Sequence, residues 1–427
     1  MVLTNSKISF EQFAKCFLPV ALIILINPFI GMVTSLLLLY NTNDDWEENF
    51  PQTLTFLIAT AVWISLVNIT KTISSDQIAY SMLFKQVPER GLYSIVFKSW
   101  DGSGKDPLYS FITWLLYYTS GGNLKLFFFT LSMAIYMFHF MAAYKLFRSI
   151  GSTKGTLICG VIVLTFFTQY FVMTLHIIRQ MLAAAVVIYA IVYRATEGKY
   201  NWWFLVAASL IHTSAILLVV LSLIPWIYSW MNLKKLVIVL VGFILFLLYY
   251  TIIGSTLENS SDIEIIKYAG QKLGDQNLKD GITISMDILM IVFVPLGLSA
   301  LLTINRIRKE ILLNNDYKGD TIKDFPLLSI SYLAILLIIF VLSFSKSPLI
   351  QYRFFYYSYS FIPLLLPLLF KDRLIKQVYQ VCISLFFVIR FFMIHNDSTF
   401  KYAPASNFII QPITYYFTGG WDTLLLN

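Results

Sequence analysis

The sequence predicts an all-α polytopic membrane protein, and three observations lead there. Of its 427 residues 58% are hydrophobic and 13% charged, more apolar surface than one soluble core of this length can bury. Apolar runs of about 20 residues, the length that crosses a bilayer, recur from one end of the chain to the other. Basic residues gather in short links between alternate runs, the pattern of cytoplasmic loops. Lys and Arg outnumber Asp and Glu by 31 to 23, and in such a chain the excess belongs to those loops and to lipid headgroups. No basic run is interleaved with aromatics, so the bilayer is an expected partner and nucleic acid is not.

In chain order, the first span is expected at 16–40, bent by Pro19 and Pro28. It lacks a small-residue cleavage site and is read as retained in the membrane. An acidic link, NTNDDWEENFPQ, leads to a span at 54–70, then to a polar segment at 71–106 that holds Asp76, Tyr80 and the turn DGSGKDP. The apolar stretch at 107–118, about 12 residues, is short for a span and reads as a juxtamembrane or re-entrant helix. On that reading 71–122 forms an outer loop. If 107–118 crosses instead, the loop is cytoplasmic, and the basic N-terminus (Lys7, Lys15) and the acidic link count toward that alternative.

Spans follow at 124–146, 155–174 and 177–193. The apolar stretch 202–230 is too long for one crossing and too short for two, and carries His212-Thr213-Ser214 near its middle. A broken helical hairpin turning at His212 accounts for both facts. Further spans are expected at 236–253, 282–304, 325–344, 355–370 and 378–394, with a second outer loop at 257–281 and an outer tail at 395–427. The whole forms one integral membrane domain of about 11–12 membrane helices. Basic links at Lys145 to Lys154, Arg194 to Lys199, Lys234-Lys235, Arg306 to Lys323 and Lys371 to Lys376 define the cytoplasmic side. His176, Arg179, His212 and the Arg353 loop then fall together on the other side.

The chemistry centres on MTLHIIRQMLAAA (173–185), where two apolar segments meet. An arginine there is costly to bury unless it faces a cavity, a counter-charge or an anionic ligand. Two readings of Arg179 stand at this point: an anion contact at the mouth of a site, or a side chain reaching headgroup phosphates. His176, one helical turn away, shares its face, Gln180 is adjacent, and three alanines let a neighbouring helix approach closely. Arg179 and Arg353, with Lys346, offer the forked donors and charge that fit a diphosphate. Tyr352, Tyr356 and Tyr357 around Arg353 suit either an interfacial belt or a saccharide groove. Asp76 and His212 are candidate general bases, Asp76 alternatively a helix cap, and Asp287 is a further intramembrane acid. Cys16, Cys159 and Cys382 have no pair spacing and read as packing residues. With no P-loop, GxSxG, HExxH or Asp-x-Asp pair, no cofactor or metal is expected.

The run HIIRQMLAAAVVIYAIVYRATEGKYNWWFLVAASLIHTSAILL resembles the EpsG/Wzy-like polysaccharide polymerases. Ile178-Arg179-Gln180 with Ala183 matches their IRQ motif, and Ala208, His212, Ser214 and Ala215 match A-x-x-h-H-x-S-A. SSDQIAY resembles the D-Y-x-x-Y loop motif at Asp76 and Tyr80, with Gln77 in place of the first tyrosine. KDPLYSFITWLL resembles the E-P-x-hhhL helix, with Asp106 for Glu, and YRFFYY the R-x-x-x-Y segment at Arg353 and Tyr357. The resemblance is close over Asp76 to Ser222 and looser elsewhere. It implies a glycosyltransferase of the GT-C class in the bacterial cytoplasmic membrane, active at its outer face. Such enzymes join repeat units carried on undecaprenyl diphosphate into O-antigen, capsule or exopolysaccharide. Donor and acceptor would both be lipid-linked oligosaccharides, and a flippase and chain-length regulator would be partners. A flippase, or an acyltransferase with His212 as base, are the rival functions.

Overall fold

A computed structural model describes residues 10–73, 76–98, 106–223, 348–370, 372–394 and 401–418, and these contain helices and turns but no strand. The spans expected at 236–253, 282–304 and 325–344, the 257–281 loop, Asp287 and Lys346 lie outside the described residues. The chain falls into two compact units: one comprises Met1–Val192, Asn201–Ile216 and Phe370–Asn427, the other Tyr193–Tyr200 and Leu217–Leu369.

In the first unit, α1 (Phe10–Ile26) and α2 (Pro28–Tyr40) replace the single first span. Pro19 lies within α1 without ending it, and the break comes at Asn27. Asn27 caps α2, its Oδ1 accepting from Ile30 N at 3.0 Å, and Pro28 fills the first helical position, where no N–H is needed. The two helices fold back on one another. Gly31 approaches Ile24 so closely that a Cβ there would sit 3.1 Å from the Ile24 backbone. In a straight helix these residues would be about 10 Å apart along the axis.

Both helices pack on α3 (Phe50–Asn68), which packs in turn on α7 (Leu124–Ser149). α8 (Lys154–Phe166) and α9 (Thr168–His176) replace the expected span at 155–174 and meet at a 58° bend. No proline or glycine stands at that bend; Phe167 is simply extended (ψ 100°). α10 (Ile178–Glu197) follows after Ile177. With α14 (Arg373–Ile394), helices α3, α7 and α10 are long and apolar enough to cross a membrane, and α8 with α9 makes a fifth crossing if the bent pair is one span. Buried polar groups tie these helices together: the Tyr170 hydroxyl lies 2.9 Å from His139 Nδ1, and Asn68 Nδ2 donates to the Phe171 carbonyl at 3.4 Å.

The acidic link and the basic loop after α7 lie at one end of this unit. Arg148 pairs with Glu47 at 2.8 Å, and Trp46 Nε1 donates to Ser152 O at 3.0 Å. Lys154, which the sequence reads as an ordinary loop cation, is 7% exposed. Its Nζ donates to the carbonyls of Leu39 and Thr42 and to the Thr42 hydroxyl. The acidic link and the basic loop therefore share one end.

α3 starts and α7 ends at this basic end, so the C-terminus of α3 and the N-terminus of α7 share the opposite end. Everything between them must make an even number of crossings. The segment holds α4 (Asp76–Lys85), α5 (Val87–Lys98, interrupted at Gly91 with φ 67°) and α6 (Pro107–Thr119). Helices of 10, 12 and 13 residues are each too short to cross about 30 Å. α6 thus stays at one end. It buries Tyr109, Ser110 and Thr113 and exposes Phe111, Leu115 and Tyr118. Polar groups inward and apolar groups outward suit a helix lying against lipid.

The chain's last described segment returns to the same end. Thr72 N donates to Lys401 O at 2.9 Å, and Lys125 Nζ to Phe417 O at 3.4 Å. α15 (Ala405–Ile410) and α16 (Ile413–Thr418) then lie against α2, and against α1 and α3. In the second unit, α13 (Pro348–Leu365) starts at Pro348 and carries Arg353 within it, correcting the expected loop. Nothing between Pro348 and Pro363 interrupts a helix, which is why it begins early. Arg194 stacks over Tyr200 at 3.6 Å in that unit.

Candidate functional site

Arg179 sits in the first turn of α10, just past the break at Ile177 (φ −119°, ψ 53°) that ends α9. Its Nη1 donates to Asp106 Oδ2 at 2.8 Å. The Tyr80 and Tyr109 rings flank the guanidinium at 5.4 and 5.9 Å, and they meet each other edge-on at 5.8 Å. Asp106 is 5% exposed and Arg179 28%, so the acid is enclosed while the cation keeps an open side. Ala183, Ala184 and Ala185 are fully buried, the close-packed surface expected of them.

Asp106 was not among the site residues expected from the sequence. It adopts φ 56°, ψ 52°, the left-handed conformation, and is the one non-glycine with positive φ among the described residues. That conformation costs about 1 kcal/mol, and the following proline disfavours helical backbone further. The strain aims the carboxylate at Arg179 from the start of α6. The D-P dipeptide of the family-like motif was the available signal. Tyr109, one turn along α6, was missed as well. Burial, then neighbouring Tyr80, pushes its phenol well above the ordinary tyrosine range despite the pull of Arg179. Tyr109 is therefore a neutral wall, and Arg179 with Asp106 forms a pair of no net charge.

Asp76 opens α4, where its charge also suits the helix N-terminus. His176, at the end of α9, lies within electrostatic reach of both Asp76 and Lys71. Lys71 is buried and donates to the Val172 carbonyl at 3.2 Å. It is a second cation at this end that the sequence reading passed over, because it looked like a loop residue. Gln180 is buried on α10, and Gln77 is buried where the motif has its first tyrosine.

The helix break at His212 is present. α11 (Trp202–Ile211) packs on α6, ends at an extended His212 (φ −157°, ψ 129°), and a 3-10 turn over Thr213–Ala215 leads into α12 (Ile216–Leu223). Ser214 N donates to His212 Nδ1 at 3.2 Å and the Ser214 hydroxyl lies 2.7 Å from the same atom. A backbone N–H can only donate, so Nδ1 accepts and the ring proton sits on Nε2. The H-x-S pattern thus caps the broken helix through Nδ1 of His212. His212→Asn, which preserves a capping acceptor, is expected to retain activity within a few-fold if His212 only caps, whereas loss of a general base costs ~10²–10⁴-fold. Initial rates of the variant decide between them.

Tyr357 and Tyr356 on α13 are buried, 0% and 1% exposed. α13 also carries Tyr352 and Arg353. Among the described residues no three His, Cys, Asp or Glu side chains gather as a metal site.

The sequence profile of the EpsG family matches residues 53–408. The chain belongs to the EpsG family. The match extends well beyond the IRQ and H-x-S-A segments, from α3 into α15. No curated protein and no solved structure matches the chain. Membership points to a glycosyltransferase-like polymerase of polysaccharide biosynthesis, and it fits the multi-pass membrane architecture. The IRQ arginine of this EpsG-family chain is the residue that joins α10 to the start of α6.

Proposed function

We propose that this chain polymerises undecaprenyl-diphosphate-linked oligosaccharide repeat units at the outer face of the bacterial cytoplasmic membrane. The growing glycan passes from its lipid diphosphate to the non-reducing end of a new lipid-linked unit, with no metal required. The product is O-antigen, capsule or exopolysaccharide. The observation that carries this reading is Arg179, a cation with an open side, set between Tyr80 and Tyr109 at the end opposite the basic loops. Arg179 binds the diphosphate and stabilises its charge as it leaves. Asp76, close to His176 and at the same end, is the favoured base for the acceptor hydroxyl. Gln180 and Ser214 are further contacts to the diphosphate or the sugar. Arg353 and Tyr352 are further substrate contacts. A flippase and a chain-length regulator work beside it. Holding two lipid-anchored substrates at one depth supplies much of the acceleration.

Cells lacking the protein are expected to accumulate single lipid-linked repeat units on the outer leaflet. Accumulation on the inner leaflet would instead make the protein a flippase, and normal chain length with a missing acyl group an acyltransferase.

A further inference from the structure

We propose that Asp106 is an exchangeable counter-ion for Arg179. It holds the guanidinium between Tyr80 and Tyr109 before substrate arrives, yields it to the phosphates of a lipid diphosphate, and recaptures it as the diphosphate departs. The inference rests on the reading of Arg179 as the diphosphate contact and adds a positioning residue to it.

The geometry supports an exchange more than a permanent anion site. An arginine built only to hold phosphate would present net positive charge. Here the cation is already neutralised at 2.8 Å by an enclosed carboxylate. An incoming phosphate therefore meets a pair, and must compete for Nη1 or share the guanidinium from its open side. Arginine permits this, since its five N–H donors fan out in a plane and one carboxylate oxygen engages only part of the fork. The aromatic walls keep the guanidinium in place while its partner changes. Tyr80 comes from α4 and Tyr109 from α6, so the cation is guided by the two outer helices as well as by α10.

Asp106 immediately precedes α6 and holds a left-handed conformation that most side chains avoid. Its backbone accepts from Ser110 N at 3.1 Å, so α6 stays anchored whichever partner the carboxylate has. Competition of this kind serves turnover. Each cycle of the proposed reaction ends with a lipid diphosphate that must leave, and a carboxylate that reclaims Arg179 opposes product retention.

The test compares the full-length protein in nanodiscs with Asp106→Asn, Arg179→Ala and the double variant. Binding of inorganic diphosphate is read by calorimetry, and KM and kcat are read on lipid-linked repeat units supplied in extracted membranes. Asn tolerates left-handed backbone, so the fold is preserved. Asp106→Asn is expected to bind diphosphate about ten-fold more tightly, about 1.4 kcal/mol, with KM and kcat both lowered. A purely structural acid predicts the reverse, since a loosened Arg179 binds less well. Binding that is unchanged, weaker or undetectable in Asp106→Asn overturns the proposal. Arg179→Ala, alone or in the double variant, abolishes binding if Arg179 is the diphosphate contact. Binding that survives Arg179→Ala overturns the underlying reading instead.

Discussion

Arg179→Ala is expected to abolish visible polymer, lowering kcat/KM by roughly 10²–10³-fold, the usual consequence of removing one preorganised group that stabilises developing charge. The variant has a second effect that must be separated from the first. Removing one member of a buried ion pair leaves the other uncompensated, which destabilises by about 3–5 kcal/mol when both are enclosed. Asp106 is enclosed and Arg179 is 28% exposed, so the low end of that range applies. Loss of polymer could then reflect loss of folded protein. Arg179→Ala combined with Asp106→Asn removes both charges and leaves no orphan, and it should return thermal stability toward wild type without returning polymer. Arg179→Lys keeps charge but loses the planar fork, and falls between. Chain-length ladders at matched protein levels make the comparison. A normal ladder in Arg179→Ala would remove this residue from the reaction.

The features that make Arg179 testable were unevenly visible in the sequence. The helical class was plain, since apolar runs at bilayer length carry their own signal. So was the junction at Ile177, where a histidine and an arginine interrupt two apolar segments, and the break at His212, where the apolar stretch has the wrong length for whole crossings. These are local facts. What stayed hidden depends on distant residues meeting. Asp106 and Arg179 are 73 positions apart, and nothing in K-D-P announces that the acid turns left-handed to reach an arginine on another helix. Lys154 looked like one more cytoplasmic cation because its three oxygen acceptors come from α2 and the link after it. The 58° bend between α8 and α9 has no proline or glycine to mark it. The cap at His212 was hidden for the same kind of reason, since the N–H that its Nδ1 accepts belongs to the backbone of Ser214.

The acidic link shows how such errors propagate. Read by itself, a run such as NDDWEE counts as non-cytoplasmic by contrast with basic loops. The positive-inside rule, however, concerns Lys and Arg, and acids contribute little to it. Glu47 and Trp46 meet Arg148 and Ser152 directly, so the link and the basic loop share an end. With that fixed, chain parity and the shortness of α4, α5 and α6 together keep α6 from crossing and gather Asp76, Asp106, Arg179 and Lys71 at the opposite end.

Trp63→Ala is expected to produce the largest loss of stability, about 3–5 kcal/mol, as for other fully buried tryptophans. Trp63 is 0% exposed on α3, and its ring meets Phe29 at 5.5 Å and Phe166 at 5.4 Å. Three helices therefore lose packing at once. Its Nε1 also donates to the Phe408 carbonyl at 2.9 Å, and Asn27 Nδ2 donates to Ile409 O beside it at 2.9 Å. These bonds seat the C-terminal segment against α2 and α3. Trp63→Phe separates the contributions: it keeps much of the ring contact and loses the bond, leaving a buried carbonyl to find another donor at about 1–3 kcal/mol. Because the segment beyond Lys401 braces the end that holds Arg179, Trp63→Ala should also make that segment open to limited proteolysis, and Trp63→Phe should do so less. Thermal unfolding in nanodiscs and cleavage near Phe408 measure the two effects. A Trp63→Ala protein that melts within a degree or two of wild type would mean that the aromatic cluster and the C-terminal segment do not hold this end of the bundle together.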